Sequence, residues 1–272
     1  MGGIQTGFEY HYITIQRKDN EMKLLDTGGN NTKLRKTNNA MDKDMLTMIG
    51  EAIGKTPKAI RLAGLSLAPS DWACPASKLA GCREPCLMSA GYGKFDNVRL
   101  GRERKRDWLR DDPTAFLDQL TKELHNFDKL TKKQGVQGVA RLNVISDVVW
   151  EGKYEIPQQF PSIFFYDYTK ISGRLGKTPK NYPLMFSWSG MPNYQRSVDK
   201  AMQTDAPMAV VFDCPFPKEF LGRAVFDGDK SDLLNLTKRE GVIALKAKGD
   251  AKGSNDPFVV SDRNANSHLL AA

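Results

Sequence analysis

The feature that most constrains the fold is a series of short apolar segments, each of which ends in polar residues. Six of them follow one another in the second half of the chain: GVARLNVISD, SIFFYDYTK, YPLMFSWSG, PMAVVFDCP, RAVFDG and GVIALKAKG. Several are almost continuously apolar, which is typical of strands buried on both faces of a parallel sheet. Some linkers leave room for crossover helices, as at 193–205. The pattern predicts an α/β fold, a parallel (βα) barrel or a partial TIM-like barrel.

The chain is expected to form a single domain with an irregular N-terminal arm. Residues 1–58 are polar and poor in pattern, apart from a short amphipathic helix at 46–53. Residues 59–260 contain the apolar segments and form the barrel-like domain, and residues 261–272 form a polar C-terminal tail.

Two local elements are predicted from their boundaries. A buried strand at 60–67 ends before Pro69 and leads directly into a cluster of cysteines. A helix follows later, with Asp112 as its N-cap, Pro113 in its first turn and Gly135 after its last.

Polar side chains follow the predicted strands, and in a parallel barrel such residues collect at the C-terminal rim, where functional groups lie. We therefore expect them to face one site. The candidates for catalysis are Asp147, Tyr168, Lys170 and Asp227, and the candidates for cofactor binding are Arg141, Asn143, Asp167, Ser187 and Lys246.

Each of these candidates also has a plainer interpretation. Arg141 and Asn143 lie on one face of a strand and could belong to a buried hydrogen-bond network. Lys170 could bind an anion, or it could pair with a nearby aspartate. The acidic run DGDKSD departs from the EF-hand pattern and favours a turn stabilised by aspartate side chains. Lys246 and Lys248 could form an anion site, or they could neutralise those aspartates.

Cys74, Cys82 and Cys86 lie within thirteen residues, separated by seven and then three residues. Prolines and glycines between them favour an irregular loop, and a loop lets three sulfurs converge. Three thiolates suit an iron–sulfur cluster or another soft metal. A four-iron, four-sulfur (4Fe–4S) cluster held by three cysteines would keep one iron open.

Three alternatives compete with the cluster. Structural zinc would prefer paired C-x-x-C ligands and a fourth ligand, and the histidines at 11, 125 and 268 are scattered. A disulfide is not expected in the cytosol. The thiols could also be small buried side chains without a ligand.

The stretches GLSLAPSDWACPASKLAGCREPCLMSAG, RLNVISDVVWE, FYDYTK, NYPLMFSWS, AVVF, DGDKSD and ALKAKGDAK resemble, in order, a family of phage-encoded proteins related to the gene product 88 domain. The resemblance spans about residues 62–260. It implies a cysteine loop of the iron–sulfur type on a barrel related to radical S-adenosylmethionine proteins, with S-adenosylmethionine as a further cofactor candidate. The first three cysteines match the family pattern. Cys214 falls outside it, and Val144 and Trp188 depart from it.

The net charge of +8 and the isoelectric point of about 9.2 are compatible with an anionic partner, such as a small anionic ligand or nucleic acid. The densest basic run, at 99–110, is interleaved with acidic residues at helical spacing and predicts a solvated helix with internal ion pairs. No apolar run suggests a membrane partner. We expect a cytoplasmic location, the host cytoplasm for a phage protein.

Two functions from different classes follow. The first is an iron–sulfur protein with radical or redox chemistry. The second is a non-catalytic, metal-stabilised module that binds nucleic acid or a host protein. The absence of P-loop, dinucleotide-binding, zinc-protease and serine-hydrolase motifs removes the common enzymes that use them.

Overall fold

The structure is a computed structural model that describes residues 22–27, 42–264, 266 and 269. Most of the predicted N-terminal arm, at 1–21 and 28–41, lies outside the described residues. So do two of the three histidines, at 11 and 268, and most of the C-terminal tail beyond 264.

The described residues contain strands that form two sheets. The strands are β1 (Leu25–Asp26), β2 (Ile60–Leu65), β3 (Gln137–Arg141), β4 (Phe164–Phe165), β5 (Asp167–Thr169), β6 (Leu184–Ser187), β7 (Met208–Phe212), β8 (Glu219–Phe220), β9 (Arg223–Asp227), β10 (Val242–Lys246) and β11 (Val259–Val260). The first sheet has the order β1-β2-β3-β4, and the second has the order β5-β6-β7-β10-β9-β8, with β11 also beside β7. All strand pairs are parallel except β1–β2 and β8–β9.

A single residue, Tyr166, separates the last strand of the first sheet from the first strand of the second. Its backbone N–H donates to the carbonyl oxygen of Ala140 on β3 at 3.2 Å. The parallel strands therefore follow one another in chain order from β2 to β7. The predicted α/β content is confirmed. The two sheets are open and mixed, so the closed or partial barrel stays a prediction.

Six α-helices lie within the described ranges: α1 (Lys43–Ile53), α2 (Asp96–Asp111), α3 (Pro113–Gln134), α4 (Ile156–Gln159), α5 (Gln195–Met202) and α6 (Asp232–Leu236). The predicted caps of α3 are confirmed: the Asp112 side chain accepts a hydrogen bond from the N–H of Ala115 at 3.0 Å, and Gly135 ends the helix with φ 66°. β2 ends at Leu65, two residues before the predicted end.

The hydrophobic core lies on both faces of the sheet. On β3, Ala140 packs with α2 and α3 in one cluster of buried residues, and Val139 packs with α1 and α6 in another. Successive side chains of a strand point to opposite faces, so these helices cover opposite sides. In the part of the chain that the structure describes, no helix is long and apolar enough to cross a membrane.

Candidate functional site

The cysteine loop, defined as residues 66–95, leaves the carboxyl end of β2 and ends where α2 begins. Short turns fix its backbone. The hydroxyl of Ser77 donates to the carbonyl oxygen of Cys74 at 2.7 Å, and the N–H of Cys82 donates to the carbonyl oxygen of Ser77 at 3.0 Å. Cys74 is buried, Cys82 and Cys86 are half-buried, and all three are free thiols.

The three thiols lie close enough to affect one another. Burial raises the pKa of the Cys74 thiol to about 12, and the neighbouring Asp147 carboxylate and the Cys86 and Cys82 thiols add to this increase. Burial also raises the pKa of Cys86, with a smaller contribution from Cys82. Among the described residues, no group of three His, Cys, Asp or Glu side chains is arranged to hold a metal ion.

Backbone and side-chain bonds dock the cysteine loop onto the ends of β3 and β6. The N–H of Asp147 donates to the carbonyl oxygen of Ala73 at 2.7 Å. The Cys74 sulfur lies 3.8 Å from the carbonyl oxygen of Ile145. The hydroxyl of Ser189, after β6, donates to the carbonyl oxygen of Ala80 at 2.7 Å. The cysteines therefore lie over the carboxyl edge of the parallel strands.

Lys170 is a buried cation beside this loop. Its Nζ donates to the carbonyl oxygens of Ser187 at 3.1 Å and Trp188 at 2.9 Å, and lies 4.3 Å from the centroid of the Phe258 ring. Burial lowers the pKa of this ammonium to about 8, and the Cys82 thiol and the Asp147 carboxylate oppose that decrease. No ion-pair partner for Lys170 occurs among the described residues.

Arg102, on α2, is a second cation next to the cysteines. It is half-buried, and its Nη1 lies 3.5 Å from the sulfur of Met88. Burial lowers the pKa of this guanidinium, and the Cys86 thiol opposes the decrease. Within the described ranges Arg102 also has no ion-pair partner. Two cations that form no salt bridge among the described residues thus lie near two of the three thiols.

Asn143 and Asp167 belong to a buried hydrogen-bond network behind the loop. The Asp167 carboxylate accepts bonds from the Asn143 N–H at 2.9 Å and the Tyr182 hydroxyl at 2.7 Å. The Asn143 side-chain oxygen accepts bonds from the N–H of Val148 at 2.8 Å and the indole of Trp150 at 3.2 Å. This arrangement fits the structural alternative for Asn143, since its side chain shapes the turn after β3.

Asp147 belongs to a second network, centred on Arg174. Arg174 donates to the Asp147 carboxylate at 2.7 Å and to the Glu151 carboxylate at 2.7 and 2.8 Å. The other Asp147 oxygen accepts the backbone N–H of Lys170 at 2.7 Å. Asp147 and Lys170 thus lie together at the strand ends, as expected. The contact between them is made by the backbone N–H of Lys170 and not by its ammonium.

Arg141 and Tyr168 lie on the face of the sheet that α1 and α6 cover. Both donate to the Asp232 carboxylate, at 2.9 and 2.8 Å, and the Arg141 guanidinium lies 4.7 Å from the Tyr168 ring centroid. Of the buried side-chain nitrogen and oxygen atoms described, Arg141 Nε and the Tyr166 hydroxyl have no hydrogen-bond partner. The contacts of Arg141 and Tyr168 with Asp232 and with each other do not involve the cysteine loop.

Asp227 and Lys246 are exposed and take part in a turn. Asp227 accepts the backbone N–H of Asp229 at 2.9 Å, and the Asp229 carboxylate accepts the N–H of Lys246 at 3.1 Å and the ammonium of Lys248 at 2.6 Å. These contacts match the turn and the charge neutralisation that the sequence allowed as alternatives.

Sequence reasoning missed Arg174, Tyr182 and Arg102. Arg174 and Tyr182 lie in linkers between strands, outside any hydrophobic pattern, and Arg102 is one of several similar cations on a basic helix. The position of Arg174 shortly after the polar end of β5 was the one feature of the sequence that could have indicated its place in the site.

Comparison with known proteins identifies a family for this chain. A family model described as Gene product 88 matches residues 22–262. No curated protein and no solved structure matches the chain. The matched region covers nearly the whole chain, so the protein belongs to the Gene product 88 family of phage proteins.

Proposed function

We propose that the protein binds an iron–sulfur cluster of the 4Fe–4S type through Cys74, Cys82 and Cys86. The observation that carries the proposal is the combination of three mutually interacting thiols with two cations, Lys170 and Arg102, that have no ion-pair partner among the described residues.

The charges support an anionic occupant. A cluster bound by three thiolates is negatively charged, and burying such a charge is costly unless cations compensate it. Lys170 lies near enough to Cys82, and Arg102 near enough to Cys86, for each cation to interact electrostatically with that thiol. Without a ligand, the buried charge of Lys170 is compensated by two carbonyl hydrogen bonds, the Phe258 ring and the nearby Asp147 carboxylate, with no salt bridge among the described residues.

The thiols also need a ligand to become ionised. Burial keeps the thiols of Cys74 and Cys86 protonated at neutral pH. A metal centre replaces the proton on each thiol and so offsets the cost of ionisation. The three sulfurs are not grouped around a metal position in the described residues, so cluster binding requires the loop to bring them together.

The position of the loop supports a functional centre in preference to a purely structural one. It covers the carboxyl edge of the parallel strands, where ligands bind in open α/β sheets and barrels. Three cysteines leave one iron for another ligand. When bound, such a cluster supplies one-electron chemistry, and an open iron is the place where S-adenosylmethionine or a substrate would bind.

The test is anaerobic purification of the full chain with measurement of iron, acid-labile sulfide and zinc. We expect about four irons per chain and a broad visible absorption band, as for other clusters of this type. Cys74→Ala, Cys82→Ala and Cys86→Ala should each lose iron. Cys214→Ala is the matched control, because Cys214 lies outside the loop, with its sulfur 3.8 Å from the carbonyl oxygen of Val260.

Two results would overturn the proposal: a colourless protein with stoichiometric zinc, or iron that is retained in all three loop variants. Electron paramagnetic resonance of the reduced protein then separates the two functional classes. A signal that changes when S-adenosylmethionine is added favours radical chemistry. An unchanged signal favours a cluster that only stabilises the module.

A further inference from the structure

Most of the exposed large apolar side chains among the described residues lie in the cysteine loop or the start of α2. Eight large hydrophobic residues are exposed in the described part of the chain, and six of them lie within residues 72–100: Trp72, Leu79, Leu87, Tyr92, Phe95 and Leu100. Proteins rarely expose apolar residues in such a concentration unless the surface binds something.

Two aromatic residues and a lysine form the centre of this surface. Tyr92 is 69% exposed and Phe95 is 49% exposed, and their ring centroids lie 6.0 Å apart. The ammonium of Lys94 lies 5.9 Å from the centroid of the Phe95 ring. Ring faces and a cation are therefore presented to solvent side by side.

The adjoining helix adds positive charge. Residues 92–106 contain six Lys or Arg residues and two carboxylates. Arg99 is paired with Asp96 and Glu103, as the sequence predicted for a solvated helix. Lys94, near the end of the cysteine loop, is exposed and has no ion-pair partner among the described residues.

We propose that the surface formed by Tyr92, Lys94 and Phe95, here called the aromatic–basic patch, binds single-stranded nucleic acid. Unstacked bases stack on exposed aromatic rings, and phosphates bind cations, so this chemistry matches a single strand better than a duplex, whose bases are already stacked. The side chains of the patch lie in the cysteine loop, and none of them is a proposed cluster ligand.

The test is fluorescence anisotropy of a labelled single-stranded oligothymidine with the full chain at low and moderate salt. The double variant Tyr92→Ala/Phe95→Ala should weaken binding about tenfold or more, because stacking contributes strongly for each base. Lys94→Gln should weaken binding several-fold and make it less dependent on salt.

The chain offers matched controls. Phe226 is also exposed and has the ammonium of Lys238 at 5.5 Å from its ring centroid, and Arg239 is an exposed arginine that pairs with Asp205. Phe226→Ala and Arg239→Gln should change binding by less than about twofold. Cys214→Ala, which lies outside the cysteine loop, should bind the oligonucleotide like the unmodified chain.

Four results would overturn the proposal. The first two are the absence of saturable binding at low salt and an equal loss of affinity in the patch and control variants. The third is equal affinity for a duplex of the same length. The fourth is that the chain binds polyglutamate instead of the oligonucleotide and that the patch variants weaken this binding. The last result would indicate an acidic protein partner.

Discussion

Asp147 donates its backbone N–H to the carbonyl oxygen of Ala73 at 2.7 Å, which ties the residue before Cys74 to the turn after β3. The Asp147 carboxylate is in turn held by Arg174 at 2.7 Å. The position of the first cysteine therefore depends on a buried ion pair that lies in a different part of the sequence.

Arg174→Gln should destabilise the protein by about 3–5 kcal/mol, because it leaves the buried carboxylates of Asp147 and Glu151 without their cation. Unfolding in urea measures the change. Arg239→Gln, which breaks the exposed pair with Asp205, is the control and should cost no more than about 1 kcal/mol. Equal losses in the two variants would contradict the structural importance of the buried pair.

Arg102→Gln should make the reduction potential of the proposed cluster more negative, by an amount on the order of tens of millivolts. The reason is that a cation beside Cys86 stabilises the reduced, more negative form. A redox titration followed by electron paramagnetic resonance measures this potential. Arg104→Gln, on the exposed side of the same helix, should change it much less, and a potential that rises in the Arg102 variant would refute the idea.

Asp167 should make stability depend on pH. Burial raises the pKa of its carboxyl to about 7, compared with about 3.9 in an unfolded chain. The folded state thus holds this proton more tightly, so its stabilising effect is complete below about pH 4 and is lost as the pH rises to about 7.

The measurement compares unfolding free energies of the unmodified chain and Asp167→Asn from pH 4 to 8. Relative to the variant, the unmodified chain should lose up to about 1.4 kcal/mol per pH unit across this window. Asp118→Asn, on an exposed position of α3, is the control. A difference between the chain and the Asp167 variant that stays constant with pH would show that burial does not retain this proton.

The features that the sequence predicted well are those that depend on residues close to one another in the chain. Asp112, Pro113 and Gly135 cap α3 through contacts within a few residues, and the cysteine loop follows β2 because Pro69 and its neighbours end the strand. The networks could not be predicted in the same way. Arg141 and Asp232 are 91 residues apart, and only the assembled sheet brings them together.

The structural interpretations of the candidate residues are best supported where a side chain bonds to groups on neighbouring turns and strand ends. Asp229 sits between Lys248 and the N–H of Lys246, which a short acidic turn followed by a basic strand end already suggested. By contrast, the burial of the Lys170 ammonium without a salt bridge depends on β5, β6 and Phe258 together. A lysine at a strand end gives no sign of this in the sequence.

Gly249→Ala should disturb the third cysteine from a distance. Gly249 has φ 56°, and a Cβ there would lie 2.5 Å from the hydroxyl oxygen of Ser89. That hydroxyl donates to the carbonyl oxygen of Cys86 at 3.0 Å and accepts the N–H of Asp250 at 3.0 Å. A methyl group at 249 must therefore displace the turn that holds Cys86.

Gly253→Ala is the matched control, because Gly253 has φ 71° and a Cβ there would meet no atom within 4 Å. Both variants carry the cost of a left-handed alanine, about 1–2 kcal/mol. Gly249→Ala should lose about 1–3 kcal/mol more through overpacking and should retain less iron. Unfolding in urea and iron analysis measure the two effects. If the variants lose the same stability and the same iron, the contact between Gly249 and Ser89 does not position Cys86.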